Sequence, residues 1–416
     1  MYPDLSYLFH DLFGTEPDNW TSIFKTFGLM LVLAILSAAY VLNREMKRKA
    51  ENGIFSATRV KIIPKIAASV GELLSNGIFG LVLGWKIPYI IQNFGEFQRD
   101  AAGVLLSGKG YPLFGVLLAA GFAGYTWYKA KKDAEKATAG PTVQDIYPHD
   151  RIGEITIVAA VTGIIGAKLF AVIEDVPALL ADPIGMLFSG SGLAVYGGFI
   201  GGFLGVWWYL RKHNIAFYPF ADCIAPALAL SYGVGRIGCQ LAGDGDWGVV
   251  ADAAPDWWFL PEWFWSWDYP NNVNNDNGTE GWRTGLVAAC DPQCMLSVTA
   301  KSIEDACQEC CGVRYCHVLV DKVYATPLFE ITATVGIFGL LWALRKRLEY
   351  IPGLLFFIYL ILNGTERFWI ERFRVNDTYN ILGLELTQAQ QIALVLMLIG
   401  IVGSVVRWRG RPTQTD

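Results

Sequence analysis

Charge is what this sequence has least of. Of its 416 residues, 17% are charged, against about a quarter in soluble domains, while 53% are hydrophobic and the mean hydropathy is +0.35. That shortage excludes an ordinary soluble enzyme and points to a chain that lives in a bilayer. Histidine is scarce too: His10, His149, His213 and His317 are the four present, and none falls in the stretches singled out below. The opening MYPDLSYLFHDLFGTEPD is acidic and lacks the basic n-region of a cleavable signal, so the first span is expected to act as its own insertion signal. Internal repeats, which mark many transporters, are absent. A net charge of -5 says little by itself, and no nucleic-acid partner is expected.

Apolar runs of spanning length lie near residues 22–42, 69–92, 112–129, 153–173, 192–210, 218–241, 326–344, 351–370 and 388–407. Basic clusters follow at Arg44/Lys47/Arg48/Lys49, Lys129/Lys131/Lys132, Arg211/Lys212, Arg345/Lys346/Arg347 and Arg407/Arg409/Arg411. With nine spans all five clusters land on one side, and the positive-inside rule makes that side cytoplasmic. The expected fold is an all-α integral membrane protein. It is a polytopic bundle of about nine transmembrane helices, N-terminus outside and C-terminus inside, with a small extracytoplasmic insertion. The membrane domain takes residues 1–244 and 324–416, and residues 245–323 form the insertion.

Against this background the stretch Ser231–Gly248, SYGVGRIGCQLAGDGDWG, stands out. Arg236 follows sixteen residues apolar enough for a bilayer, where a guanidinium is costly unless it meets water, protein or an anion. Gly243 and Gly245 allow the backbone to bend closely around something, and Asp244 and Asp246 bring carboxylates to the same turn. The alternative is an arginine snorkelling from a helix end. Arg367, Arg372 and Arg374 break the positive-inside pattern, which suggests an anionic ligand. Asn363, Arg367, Glu371 and Arg374, spaced i, i+4, i+8 and i+11, are expected on one helix face; a solvated Arg–Glu ladder is the other reading. Tyr196 sits where an outer loop enters a helix, with Gly197, Gly198, Gly201, Gly202 and Gly205 behind it, which read as a packing seam. Asp222 is placed to meet a cation or cap its helix. Lys86, beside Pro88 and Tyr89, reads as snorkelling to the outer interface, whereas Lys168 sits well inside an apolar helix and needs an anionic partner.

Six of the eight cysteines, Cys290, Cys294, Cys307, Cys310, Cys311 and Cys316, fall in the insertion. Outside the cell that is a disulfide framework with 15 possible connectivities; a zinc site using His317 is the competing reading. Cys223 and Cys239 read as buried small residues. The run DWWFLPEWFWSWDY suits the headgroup level, where Trp and Tyr concentrate.

Taken together, SGLAVYGGFIGG, ADCIAPALALSYGVGRIGCQLAGD, VYATPLFE and ERFWIERFR resemble the motifs of the bacterial prolipoprotein diacylglyceryl transferase family, in the same order. The departures are Tyr196 where histidine is frequent, Cys239 and Ala242 where asparagines are usual, Phe27 for a first-span tyrosine, and Ala325 and Phe329 in the third motif. Residues 69–129 look like an added hairpin, and the cysteine insertion lies outside the family core. The resemblance implies transfer of a diacylglyceryl group from phosphatidylglycerol to the lipobox cysteine of prelipoproteins, in the bacterial cytoplasmic (inner) membrane, with the site facing outside. It implies Arg236 and Arg367 as phosphate ligands, and Tyr196 with Asp244 or Glu371 to orient or deprotonate the thiol. Gly198, Asp222, Gly243, Asn363 and Arg374 would complete the substrate site. No metal or organic cofactor is implied. An anion transporter or a non-catalytic anionic-lipid-binding protein remains the alternative.

Overall fold

The computed structural model describes residues 1–62, 68–99, 104–105, 107–136, 142–176, 180, 194–273, 286–288, 303–319, 321–381 and 383–411. Its main helices are α1 (Leu5–Phe13), α2 (Thr26–Glu51), α3 (Val70–Gln92), α4 (Pro112–Lys136), α5 (Ile152–Glu174), α6 (Val195–Lys212), α7 (Phe217–Ala242), α8 (Ile303–Cys311), α9 (Thr326–Leu344), α10 (Leu354–Ile370) and α11 (Gln388–Arg409). Each of the nine apolar runs coincides with one of the long helices. Five segments, Thr26–Glu51, Val70–Gln92, Pro148–Glu174, Thr326–Leu344 and Gln388–Arg409, are long and apolar enough to cross a membrane. The fold is not purely helical. Strands β1 (Thr58–Ile62), β2 (Thr142–Ile146), β3 (Ser266–Trp267), β4 (Leu286–Ala288), β5 (His317–Leu319), β6 (Val323–Tyr324), β7 (Thr378–Ile381) and β8 (Leu384–Thr387) form four two-stranded antiparallel sheets. Short strands of this kind leave little trace in an apolar-run reading, because each is only two to five residues long.

The chain forms two compact units, one of residues 49–215 and one of residues 1–48 with 216–416. In the first, α3 packs on α4 and α5 on α6, both through glycines. A Cβ at Gly84 would run into the Phe114 carbonyl, and one at Gly201 into the Thr162 carbonyl, so the helix backbones meet directly. Gly198 is part of this seam, its Cβ position 3.5 Å from that of Ala167. Two segments read as cytoplasmic loops pair as β1–β2, Thr58 facing Ile146 and Ile62 facing Thr142.

Lys86 overturns its expectation. It does not snorkel: it is 7% exposed, and its ammonium donates to the carbonyls of Val104 at 2.8 Å, Lys109 at 3.0 Å and Ser107. The loop after α3 supplies backbone acceptors, and these satisfy a charge that burial alone would make prohibitive.

In the second unit α7 lies against α9 and α10, and α10 against α11. Ala229, Ile337, Leu341 and Leu355 form the core where α7, α9 and α10 meet, with Tyr359 and Leu362 packed on it. Asp222 does cap a helix, but not its own. Its carboxylate accepts from the backbone N–H of Gly353 at 2.7 Å and of Phe356 at 3.1 Å, satisfying the open first turn of α10.

The N-terminal segment docks on the end of α7 and on the insertion. Tyr2 N–H donates to Leu241 O on α7 at 2.7 Å, Tyr7 hydroxyl and Tyr315 backbone bond to each other, and Asp18 accepts from Arg314 N–H at 2.8 Å. Within the insertion Trp247, Tyr269, Leu319 and Val323 make a small core. The disulfide framework is present: Cys307 is bonded to Cys316, and Cys310 and Cys311 are also in disulfides, which takes these four sulfurs away from the zinc alternative. Cys290 and Cys294 lie outside the described residues.

Candidate active site

The turn after α7 is built by two residues with positive φ, Gly243 (63°) and Gly245 (94°). A side chain at Gly243 would be strained by that φ and would also press on Asn272, whose Cβ lies 2.6 Å from the position of an added Cβ. The chain then passes between two other segments. Gly248 N–H donates to Tyr324 O at 2.9 Å, Val249 N–H to Phe373 O at 2.8 Å, and Thr326 hydroxyl to Asp246 O at 2.8 Å. The turn is thereby tied to the start of α9 and to the segment that follows α10.

Three arginines converge where these segments meet. Arg236, near the end of α7, pairs with Glu330 on α9 (Nε to Oε2, 2.7 Å) and with Asp246 in the turn. Arg374 also reaches Asp246 (Nη2 to Oδ1, 2.5 Å). Arg367, near the end of α10, donates to Glu330 Oε1 at 3.2 Å and pairs with Glu371 at 3.1 Å. Glu330 is fully buried and takes a further hydrogen bond from Tyr232 hydroxyl at 3.0 Å, while Arg236 Nε donates to that hydroxyl at 3.3 Å. Buried charges persist only when paired and hydrogen-bonded in this way. The openings are at Arg367, 27% exposed, and Asp246, 35% exposed.

Of the residues singled out in the sequence, the structure brings Arg236, Asp244, Arg367, Glu371 and Arg374 together, with Gly243 at the base of the turn. Asn363 lies half-buried one turn before Arg367 on α10. The expected single helix face stops short of Arg374. The α-helix ends at Ile370, Glu371–Phe373 is a 3₁₀ turn, and Arg374 is extended. The tighter turn breaks the 3.6-residue register, and it is the extended backbone that sends Arg374 to Asp246. Asp222 lies fourteen residues before Arg236 on α7, about 21 Å along the axis at 1.5 Å per residue, occupied in capping α10. Tyr196 and Gly198 stand in the first turn of α6, in the other unit.

Three contributors were not assigned a role from the sequence: Glu330, Tyr232 and Asp246. Two carried a readable signal. Glu330 is a carboxylate inside an apolar spanning run, by itself a functional flag, and Tyr232 sits four residues before Arg236, on the same helix face. Choosing Asp246 over Asp244 required the fold, because its second partner, Arg374, is 128 residues away.

The two aspartates of the turn differ in their electrostatics. Burial would raise the Asp246 carboxyl, but Arg236 and Arg374 outweigh it and bring the group down to about 2. Asp244 moves the other way: burial raises it above the usual carboxylate range, and the Asp246 charge adds to that. Asp244 also accepts from Asp246 N–H at 3.3 Å. Cys239 completes the group, its sulfur 3.6 Å from both Arg236 Nη1 and Asp246 Oδ2. Cys239, Asp244 and Asp246 lie close enough to share a cation, but two guanidiniums already neutralise Asp246 and oppose a second positive charge there. The arrangement suits an anion.

The sequence model of a family described as prolipoprotein diacylglyceryl transferase matches residues 104–406, a range that holds every residue of this cluster and excludes α1, α2 and α3. Among curated relatives, phosphatidylglycerol–prolipoprotein diacylglyceryl transferase of Clostridium tetani is 38% identical over 97 residues, 23% of this chain and 39% of that one. The enzyme of the same name from Corynebacterium efficiens is 25% identical over 268 residues, 63% of this chain and 70% of its own. That from Staphylococcus carnosus is 27% identical over 299 residues, 71% and 85% respectively. The chain thus spans about two-fifths of the first relative and most of the other two. With the family match covering well over half of its length and all of its arginine cluster, the chain belongs to the prolipoprotein diacylglyceryl transferase family.

Proposed function

We propose that this chain transfers the diacylglyceryl group of phosphatidylglycerol to the lipobox cysteine thiol of prelipoproteins. The thiol sulfur attacks the glyceryl carbon, a C–S bond forms, and the C–O bond to phosphorus breaks. The electron pair leaves with glycerol phosphate, and the thiol proton passes to a base. The observation that carries this reading is the convergence of Arg236, Arg367 and Arg374 on one buried and one partly exposed carboxylate. Guanidinium matches phosphate in a bidentate fork, and the partly exposed carboxylate, Asp246, occupies the position between Arg236 and Arg374 that a phosphate oxygen pair would take. Substrate phosphate replaces Asp246 there, while Glu330 and Tyr232 keep the guanidiniums aimed. As the phosphate leaves, it gains charge against donors that are already oriented, the arrangement that stabilises transition states most.

Asp244 is the better base of the two carboxylates considered. Its raised proton affinity suits proton transfer from a thiol of ordinary pKa about 8.5, whereas Glu371 is held by Arg367 and Asn376. On the nine-span reading, this end of α7 faces outside the cytoplasmic membrane. Supporting that orientation, two basic clusters meet at the opposite end of the same unit, where Arg48 pairs with Glu349 and Arg345 with Glu45. The disulfide-stapled insertion then lies beside the site as a docking surface for the prelipoprotein.

The test is transfer in detergent micelles from phosphatidylglycerol to a lipobox peptide, read as thioether-linked peptide and released glycerol phosphate. Wild type should make both, and Arg236→Ala should make almost none. Equal activity in the two would remove Arg236 from the phosphate role. Lipid binding without any product in folded wild type would support a non-catalytic anionic-lipid-binding protein instead.

A further inference from the structure

The insertion exposes large aromatic side chains that nothing in the unit covers. Phe259 is 87% exposed, Trp257 71% and Trp263 51%, an expensive display for residues whose burial is strongly favourable. They are not on a loose strand. Their neighbours Trp258, Phe264 and Trp265 turn inward and pack on Phe329, at ring-centroid distances of 6.5, 6.2 and 6.1 Å. Phe329 lies in the first turn of α9, one of the membrane-crossing helices. The exposed aromatics thus flank residues seated at the head of α9, a helix that also leaves Val335, 57% exposed, and Leu340, 45%, uncovered. A second such surface stands at the head of α2, another crossing helix. There Trp20, 65% exposed, meets Phe24 edge-on at 6.5 Å and leads into Phe27 and Leu31, 44% and 50% exposed.

We infer that the segment 257–263 of the insertion seats in the outer leaflet of the bilayer, a lipid surface being its partner, with Trp20 and Phe24 as a second foot. Amphipathic indoles favour that depth. Attachment at the heads of two helices long and apolar enough to cross a membrane selects lipid over a protein partner. The two feet are joined through protein, since the N-terminal segment that carries Trp20 is hydrogen-bonded to the insertion at Arg314 and Tyr315. On the transferase reading this seat has a use. Phe329 touches Phe373 at 6.2 Å, the residue before Arg374, so an apolar edge runs from the leaflet to the arginine cluster and gives the acyl chains of a phospholipid a surface to follow as its headgroup enters.

The first experiment does not depend on activity. The full chain carrying the photo-crosslinking residue p-benzoylphenylalanine in place of Phe259 is reconstituted in nanodiscs of phosphatidylglycerol and phosphatidylethanolamine, irradiated and weighed intact. A mass increase of one phospholipid is expected there and with the same residue in place of Trp20. Little or none is expected in place of Lys322, an exposed polar position of the insertion. Absence of lipid adducts at 259, or equal yields at 259 and 322, overturns the proposal. In a second arm, the triple variant Trp257→Ser, Phe259→Ser, Trp263→Ser should melt as wild type does but show a several-fold higher KM for phosphatidylglycerol in bilayers at unchanged kcat; an unchanged KM overturns the edge role. If wild type transfers nothing, the transferase reading fails while the adduct at 259 still decides the lipid seat.

Discussion

The two ends of the site-bearing unit solve the same problem differently. At one end Glu45, 2% exposed, is held by Arg48 and Arg345, and Arg48 grips Glu349 through both carboxylate oxygens. At the other, fully buried Glu330 is held by Arg236 and Arg367 with Tyr232. Both are buried carboxylates satisfied by guanidiniums from different helices, and charge pairing alone does not separate staple from site. The surroundings do. The Arg345 guanidinium sits over the Trp342 ring, its carbon 3.5 Å from the centroid, and the partners of Glu45 come from α2 and the end of α9. Around Glu330, one arginine extends to an aspartate on a glycine turn, 35% exposed. A network becomes a site where one of its carboxylates can be exchanged for a ligand.

The largest way to break this comparison is to neutralise the buried carboxylate at each end. Removing one partner of a buried ion pair costs about 3–5 kcal/mol, so Glu330→Gln and Glu45→Gln should both lower thermal stability markedly. Only Glu330→Gln should also abolish transfer in the protein that remains folded; equal specific activity in the two would dissolve the distinction. Next in size is the arginine itself. Arg236→Ala should reduce kcat/KM by about 100-fold or more, in the range seen when one oxyanion donor is removed, whereas Arg48→Ala should leave kcat intact and register only in melting. Smaller again is Gly243→Ala. The positive φ and the approach of Asn272 predict a loss of roughly 1–2 kcal/mol, visible as a lower melting temperature and weaker phosphatidylglycerol binding.

The contrast also marks what a sequence can disclose. Apolar runs locate helices because bilayer crossing imposes a length on them, and every run read from the sequence is helical among the described residues. The pairing of Arg345 with Glu45 and of Arg48 with Glu349 agrees with basic clusters belonging to one side. Arg236, Arg367 and Arg374 were visible as cations where cations are costly. Their pairings were not, since Asp246 meets Arg374 across 128 residues and Glu330 meets Arg236 across 94, and periodicity carries no information over such spans. Lys86 departs from its expectation for a related reason: a loop's carbonyls are as good a partner as water, and nothing in the residue types around it announces them. The docking of the first eighteen residues on Arg314 and Tyr315 is likewise a long-range event, in which the Asp18 carboxylate and the Tyr7 hydroxyl meet backbone groups that every residue has.

The finest comparison lies within the turn, between Asp244 and Asp246. The folded Asp246 carboxyl is depressed to about 2, below its ordinary value near 3.9. Its contribution to holding the turn is therefore complete above that ordinary value and disappears only as pH falls through about 2. Asp244 is raised, so the folded protein binds its proton more tightly than the unfolded chain does, and ionising it costs stability as pH rises through the carboxylate range. If Asp244 is the base, the acid limb of kcat/KM should lie above the usual carboxylate range. It should vanish with the residual activity of Asp244→Asn, and it should move to lower pH in Asp246→Asn, because removing the neighbouring negative charge removes one of the two causes that raise Asp244. A limb that follows neither substitution would assign the proton to another group. A limb unmoved by Asp246→Asn but lost with Asp244→Asn would keep the base and leave burial alone to account for its affinity.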